Sequence, residues 1–181
     1  SYNFIIKFGI KTHSDDSTGK VILSSKKRPT NFDLLKTIPS FMGHIWQKPP
    51  IISAIKVKGQ RAYKLYDNPS EEIELKKRKV FVKSLKMIER IDNDHASFEI
   101  VCGKGTYVRS IARDIGETLG CHAHTSLIRR IHSGPFKSSD MIKLSHLKIN
   151  KPYAIKSIKP IEKAVPNLKK ISCDEESHFK L

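Results

Sequence analysis

Between residues 97 and 120 the apolar pattern changes period within a few positions, and that change constrains the chain more than any other feature. Phe98, Ile100 and Cys102 alternate with other residues, the repeat of a half-buried strand. Val108, Ile111, Ala112, Ile115 and Leu119 then recur at helical spacing, and Gly120 supplies a stop. The switch occurs across "GKGTYVR", residues 103–109. Two glycines in so short a corner require a sharp bend or the close approach of another group. Thr106 is placed to cap the helix, which puts Tyr107 and Arg109 in its first turn. On residue types alone, that tyrosine and arginine are open between packing with surface decoration and facing a ligand.

The rest of the chain has the same mixed character. Tyr2, Phe4, Ile6 and Phe8 alternate as a strand, "THSDDSTG" is a polar loop, and "KVIL" follows as its partner strand. Residues 31–41 carry Phe32, Leu35 and Ile38 near one helical face, with Asn31 as N-cap and Pro39 as an early stop. Pro49 and Pro50 force an extended path before "IISAIKV". "DNPSEE" is a loop, "RKVFVKSLKMI" is a strand with Val80 and Val82 on one face, and residues 122–133 are extended. Beyond about Lys151 the pattern weakens, and Pro152, Pro160 and Pro166 mark a linker-like tail. Strands outnumber helices, which predicts an α+β fold: a mixed, largely antiparallel sheet with flanking helices.

Charge narrows the class of partner. Among 181 residues, 34 Lys and Arg oppose 18 Asp and Glu, a net charge of +16. Such a surplus favours a polyanion, because neutralised phosphates release counterions; a lysine-rich proteome would produce the same surplus without function. Three widely spaced cysteines argue against a disulfide scaffold and for a reducing, cytoplasmic compartment. No apolar stretch is long enough for a membrane span and no signal peptide opens the chain, so a membrane partner is not expected.

Three local patterns fail as sites. "GKGT" is not a phosphate-binding loop, since Lys104 precedes the second glycine instead of following it. "CHAH" at 121–124 puts His122 and His124 on one side and Cys121 on the other, with no second ligand pair, so no metal is expected and a structural histidine is. Asp15 and Asp16 stand in the polar loop, where solvated turn residues are the default. Arg129 and Arg130 fall on opposite faces of an extended segment; they are ordinary surface cations, or one serves phosphates and the other something inside.

Four segments, in order and at similar spacing, nevertheless resemble the TruB family of RNA pseudouridine synthases: "YNFIIKFGIKTHSDDSTG", "QKPPIISAIKVKGQRAY", "CGKGTYVRSIARDIGETLGCHAH" and "LIRRIHSGPF". The resemblance covers roughly residues 1–147. It implies an enzyme that isomerises uridine 55 in the T loop of transfer RNA to pseudouridine, without cofactor or metal. Tyr107 matches the tyrosine proposed to take up the C5 proton of the base, and Arg109 the arginine that pairs with the catalytic aspartate. Tyr2 matches the tyrosine that stacks on the flipped base. Ile128 stands where an active-site leucine is usual, and Asp16 matches the loop aspartate, while His13 and Thr18 replace residues that are commonly acidic. Lys104, Arg130 and Lys137 are expected to meet RNA phosphates.

One part of the family pattern has no counterpart. The nucleophile lies in a Gly-x-Leu-Asp-Pro motif upstream of the tyrosine-headed strand, and none of the nine aspartates here has that context. The resemblance therefore implies a chain trimmed at both ends and inactive alone. Residues 1–150 would be the C-terminal part of a catalytic domain, and 151–181 a linker and the start of a truncated RNA-binding subdomain. The implied partner is the transfer-RNA T arm, bound by a monomer with no obligate protein partner. The rival expectation is a non-catalytic module that holds folded T-arm-like RNA.

Overall fold

In the computed structural model, which describes residues 1–57, 59–63, 75–149 and 151–169, the alternating apolar residues of the sequence become the inner face of one sheet. Phe4, Ile6 and Phe8 of β1 (Tyr2–Phe8) are fully buried, as are Phe98 and Ile100 of β8 (His95–Cys102). The sheet has five strands in the order β4-β7-β8-β1-β9, where β4 is Gly43–Gln47, β7 is Arg78–Arg90 and β9 is Ala123–Arg130. All four neighbouring pairs are antiparallel. The register sets Tyr2 opposite Ile100 on one side and Arg130 on the other. With helices packed on the sheet, this is the α+β architecture that the pattern predicts.

Two short hairpins accompany the sheet: β2 (Ile10–Thr12) with β3 (Val21–Ser24), and β5 (Lys56–Val57) with β6 (Gln60–Arg61). The extended path expected after the two prolines is mostly bends: residues 51–54 curve, and only Lys56–Val57 of that run is strand. The expected "DNPSEE" loop lies outside the described residues.

Helix α1 (Asn31–Thr37) begins one residue earlier than its sequence signal suggests. Thr30 is the N-cap, its side chain accepting from the Asp33 amide while Asp33 accepts from the Thr30 amide. A 3-10 turn over Ile38–Phe41 follows, with Pro39 in its first positions. Helix α2 (Val108–Thr118) buries Val108, Ile111, Ala112 and Ile115 against the sheet, the face that the 3.6-residue period marks. Gly116 lets the chain turn back from α2 into β9: its carbonyl accepts from the Cys121 and His122 amides, and a Cβ there would collide with the Ala123 backbone.

His124, from the rejected metal motif, is buried and structural. Its Nδ1 lies 2.9 Å from the Ile10 carbonyl oxygen, and burial pushes its pKa down, so the ring is neutral and this nitrogen carries the hydrogen. Among the described residues no group of three or more His, Cys, Asp or Glu could hold a metal ion, and no helix is long and apolar enough to cross a membrane.

The chain divides into two units, Ser1–Ile131 and His132–Leu181. The second holds the hairpin β10 (His132–Ser133) with β11 (Phe136–Lys137), then α3 (Leu144–Ile149) and α4 (Lys151–Lys156). The linker-like tail is thus partly helical. Of the two helices only α4 lies in that tail; each has six residues and buries none, so they carry too little apolar periodicity to stand out in the sequence.

Candidate active site

The corner after β8 is built from backbone first. The Gly103 amide donates to the Phe81 carbonyl at 2.8 Å, extending the β7–β8 pairing by one residue. Gly105 then takes φ +82°, a left-handed conformation that accounts for the second glycine of the motif. Tyr107, extended at φ −102° and ψ 112°, is the N-cap of α2. Thr106 is therefore not the cap, and no side chain of the corner itself caps the helix.

The cap comes from sixty residues away. Gln47, almost fully buried at the end of β4, accepts from the Tyr107 amide at 2.8 Å and donates to the Tyr107 carbonyl at 3.1 Å. One side-chain amide thus satisfies both backbone groups of the candidate catalytic tyrosine. The residues after Gln47 run along the first turns of α2. The Lys48 carbonyl accepts from Ser110 Oγ at 2.9 Å and from Arg113 Nη2 at 2.7 Å, and the Ile52 carbonyl accepts from Arg109 Nη2 at 2.8 Å. Pro49 and Pro50, both buried between them, have no N–H to satisfy, so these two residues can lie against a helix without burying an unpaired donor.

Asp15 and Asp16 are not solvated turn residues. Asp16 Oδ2 accepts from Arg109 Nη1 at 2.9 Å, and the same Nη1 donates to the Ser14 carbonyl at 3.0 Å. Asp16 Oδ1 accepts from Ser14 Oγ, Thr18 Oγ1 and the Thr18 amide. Burial opposes ionisation of Asp16, but these bonds and the Arg109 charge outweigh it and hold the carboxyl below its ordinary range. Asp15, with φ +60°, turns the other way and pairs with Arg113 Nη1 at 2.7 Å, both side chains nearly buried. Burial pushes the Asp15 carboxyl up, and Arg113 only partly offsets that. Consecutive acids on one loop therefore bind arginines one turn apart on α2. Local composition identifies the loop as polar but cannot show cations more than ninety residues away.

Tyr2, Ile128 and Arg130 form a second group at the same end of the central strands. Tyr2 opens β1, and Ile128 and Arg130 lie near the end of β9 opposite Phe4 and Tyr2. The Arg130 guanidinium carbon sits 5.0 Å from the centre of the Tyr2 ring, a cation–π contact. Arg129, opposite Asn3, takes the other face, as the alternation requires. Lys104 is exposed in the corner. Lys137 belongs to the second unit, where its amide donates to Asp140. Sequence reasoning missed Gln47, Ser110 and Arg113. Gln47 had a signal: a polar residue at an inward position of a strand, after Gly43 and Ile45, must find a buried partner.

Comparison with known proteins places the chain in a family. Residues 1–108 match the TruB family pseudouridylate synthase N-terminal domain, and residues 109–166 match the tRNA pseudouridylate synthase B C-terminal domain. The chain belongs to the TruB family. Among TruB-family relatives, tRNA pseudouridine synthase B of Ruegeria sp. (strain TM1040) is 42% identical over 183 residues, covering 100% of this chain and 60% of that protein. The tRNA pseudouridine synthase B of Bartonella henselae is 46% identical over 148 residues, covering 82% of this chain and 46% of that protein. The chain spans about 60% of the length of the curated relatives that it matches end to end. A solved chain of a Cbf5–Nop10–Gar1 complex has a TM-score of 0.58 at 26% identity, covering 91% of this chain and 43% of that one. The resemblance read from the four motifs is borne out.

Proposed function

We propose that this chain is part of a cytoplasmic transfer-RNA pseudouridine synthase that isomerises uridine 55 of the T loop. The observation that carries the proposal is the clamped corner: Tyr107 is fixed by Gln47, and beside it Arg109 is held by Asp16, Ser14 and Ile52. The names of the relatives support the reaction class.

In this reading an aspartate from outside residues 1–181 attacks the flipped-out nucleotide. The bond from the sugar to N1 of the base breaks, the base rotates, and a bond from the sugar to C5 forms. C5 loses a proton and N1 gains one, so the reaction is an isomerisation that needs no cofactor or metal. Tyr107 takes up the C5 proton, Arg109 orients and keeps ionised the attacking carboxylate, and Tyr2 stacks on the base with Ile128 as an apolar wall. Asp16 orients Arg109 through Oδ2 and faces the substrate with the lone pair that this bond leaves open. Lys104, Arg130 and Lys137 meet phosphates of the T arm, whose folded shape provides much of the recognition. Residues 1–150 form the C-terminal part of the catalytic domain, and 151–181 lead into an RNA-binding subdomain. The enzyme works as a monomer.

Release of tritium from T-arm RNA labelled at C5 of uridine tests the proposal in the complete gene product that carries this chain. Tyr107→Phe is expected to slow release about a hundredfold or more; release at the wild-type rate would refute its proton role. Arg109→Ala is expected to lower kcat while RNA binding persists, and residues 1–181 alone should release no tritium. Release by residues 1–181 alone would overturn the assignment of the nucleophile to a residue outside them.

A further inference from the structure

The outer face of the sheet at its β4 edge carries aromatic groups that the catalytic reading leaves unused. Alternation along β4 turns Ile45 and Gln47 inward and His44 and Trp46 outward. Across the β4–β7 pairing His44 stands opposite Phe81, and Trp46 opposite Lys79. The His44 and Phe81 rings are 5.0 Å apart and tilted by 50°. Trp46 is 66% exposed and Phe81 44% exposed, a large apolar surface for an edge strand to show to water. Two residues further along β7 a bulge sets both Lys83 and Ser84 against Val101 of β8, which adds a second lysine near Phe81.

The chemistry of this face points to one kind of partner. Lys79 and Lys83 border the rings, and the next outward carboxylate on these strands is Glu99, further along and already opposite Lys86. Among the described residues of these strands the patch is therefore cationic and aromatic, and the acids near Trp46 are Asp15, Asp114 and Glu117 of the cleft that it also lines. A protein segment covering the rings would have to neutralise those lysines, whereas unpaired nucleotides match both features. Bases stack on exposed rings and phosphates pair with ammonium groups. The Phe81 carbonyl also accepts from Gly103, so the patch abuts the corner that carries Lys104 and leads to Tyr107.

We infer that His44, Trp46 and Phe81, with Lys79 and Lys83, form a stacking platform for unpaired nucleotides of RNA, outside the site that holds the reacting uridine. The inference rests on the reading of the protein as an RNA-modifying enzyme.

Trp46 is the only tryptophan of the chain, so its fluorescence reports on the platform directly. Titration with a short oligouridylate at low salt is expected to quench it saturably. Phe81→Ala should weaken binding about tenfold, and Trp46→Phe, followed by anisotropy of a labelled oligouridylate, should retain near-native affinity. Binding without quenching, affinity unchanged in Phe81→Ala, or no binding of the oligouridylate would each overturn the inference. So would equal affinity for duplex RNA, which would reduce the lysines to backbone attraction alone. Tritium release from a T-arm hairpin in the complete gene product separates the two readings. Release without quenching leaves the enzyme assignment standing and removes the platform; quenching without release does the reverse.

Discussion

Asp16 supplies much of the order around Arg109, and its contribution depends on its charge. Because its carboxyl ionises below the ordinary value in the folded state, its stabilisation is complete above the unfolded value and lost as pH falls through the folded one. Urea unfolding of wild type and Asp16→Asn should therefore differ by a constant amount at neutral pH, and the gap should close below about pH 4. A gap that persists unchanged into strong acid would mean that the carboxylate contributes only through its shape. The sequence marked Asp16 through resemblance, not physics. The polar run "THSDDSTG" is equally consistent with a solvated turn, and what distinguishes it is Arg109 and Arg113 arriving from α2.

Among the elements, α2 has its position fixed at both ends, by Gln47 at the start and by Gly116 near its end. Gly116→Ala forces a methyl group into the Ala123 backbone and should cost about 1–3 kcal/mol of unfolding free energy in urea. A loss below a few tenths of a kcal/mol would mean that the α2–β9 turn yields freely. The elements with long apolar repeats were legible: β1, β7, β8 and α2 stand where alternation or helical spacing puts them, and β9 lies within the segment read as extended. Their neighbours in the sheet were not, since alternation says which face is buried and nothing of the β4-β7-β8-β1-β9 order. The cap of α2 was misread for a related reason. Thr106 has the right residue type next to the helix, but a buried amide from a distant strand took the role.

For the molecule as a whole, the motif order was enough to indicate the family and the +16 charge favours a polyanion, while the way the site is assembled needed the three-dimensional pairing. The Gln47–Tyr107 clasp has a kinetic consequence. The Tyr107 amide belongs to no strand ladder and sits at the first, unpaired end of a helix, so its protection from solvent hydrogen exchange rests on one side chain. In wild type it should exchange slowly, and Gln47→Ala should speed that exchange about tenfold while leaving Phe4 in β1 unaffected. Rapid exchange at Tyr107 in the wild type would show that the clasp opens freely. Closing a contact over sixty residues carries an entropy cost that α2 by itself does not bear. The tyrosine should therefore reach its working position only after β4 has joined β7, so the site completes with the sheet and not with α2 alone.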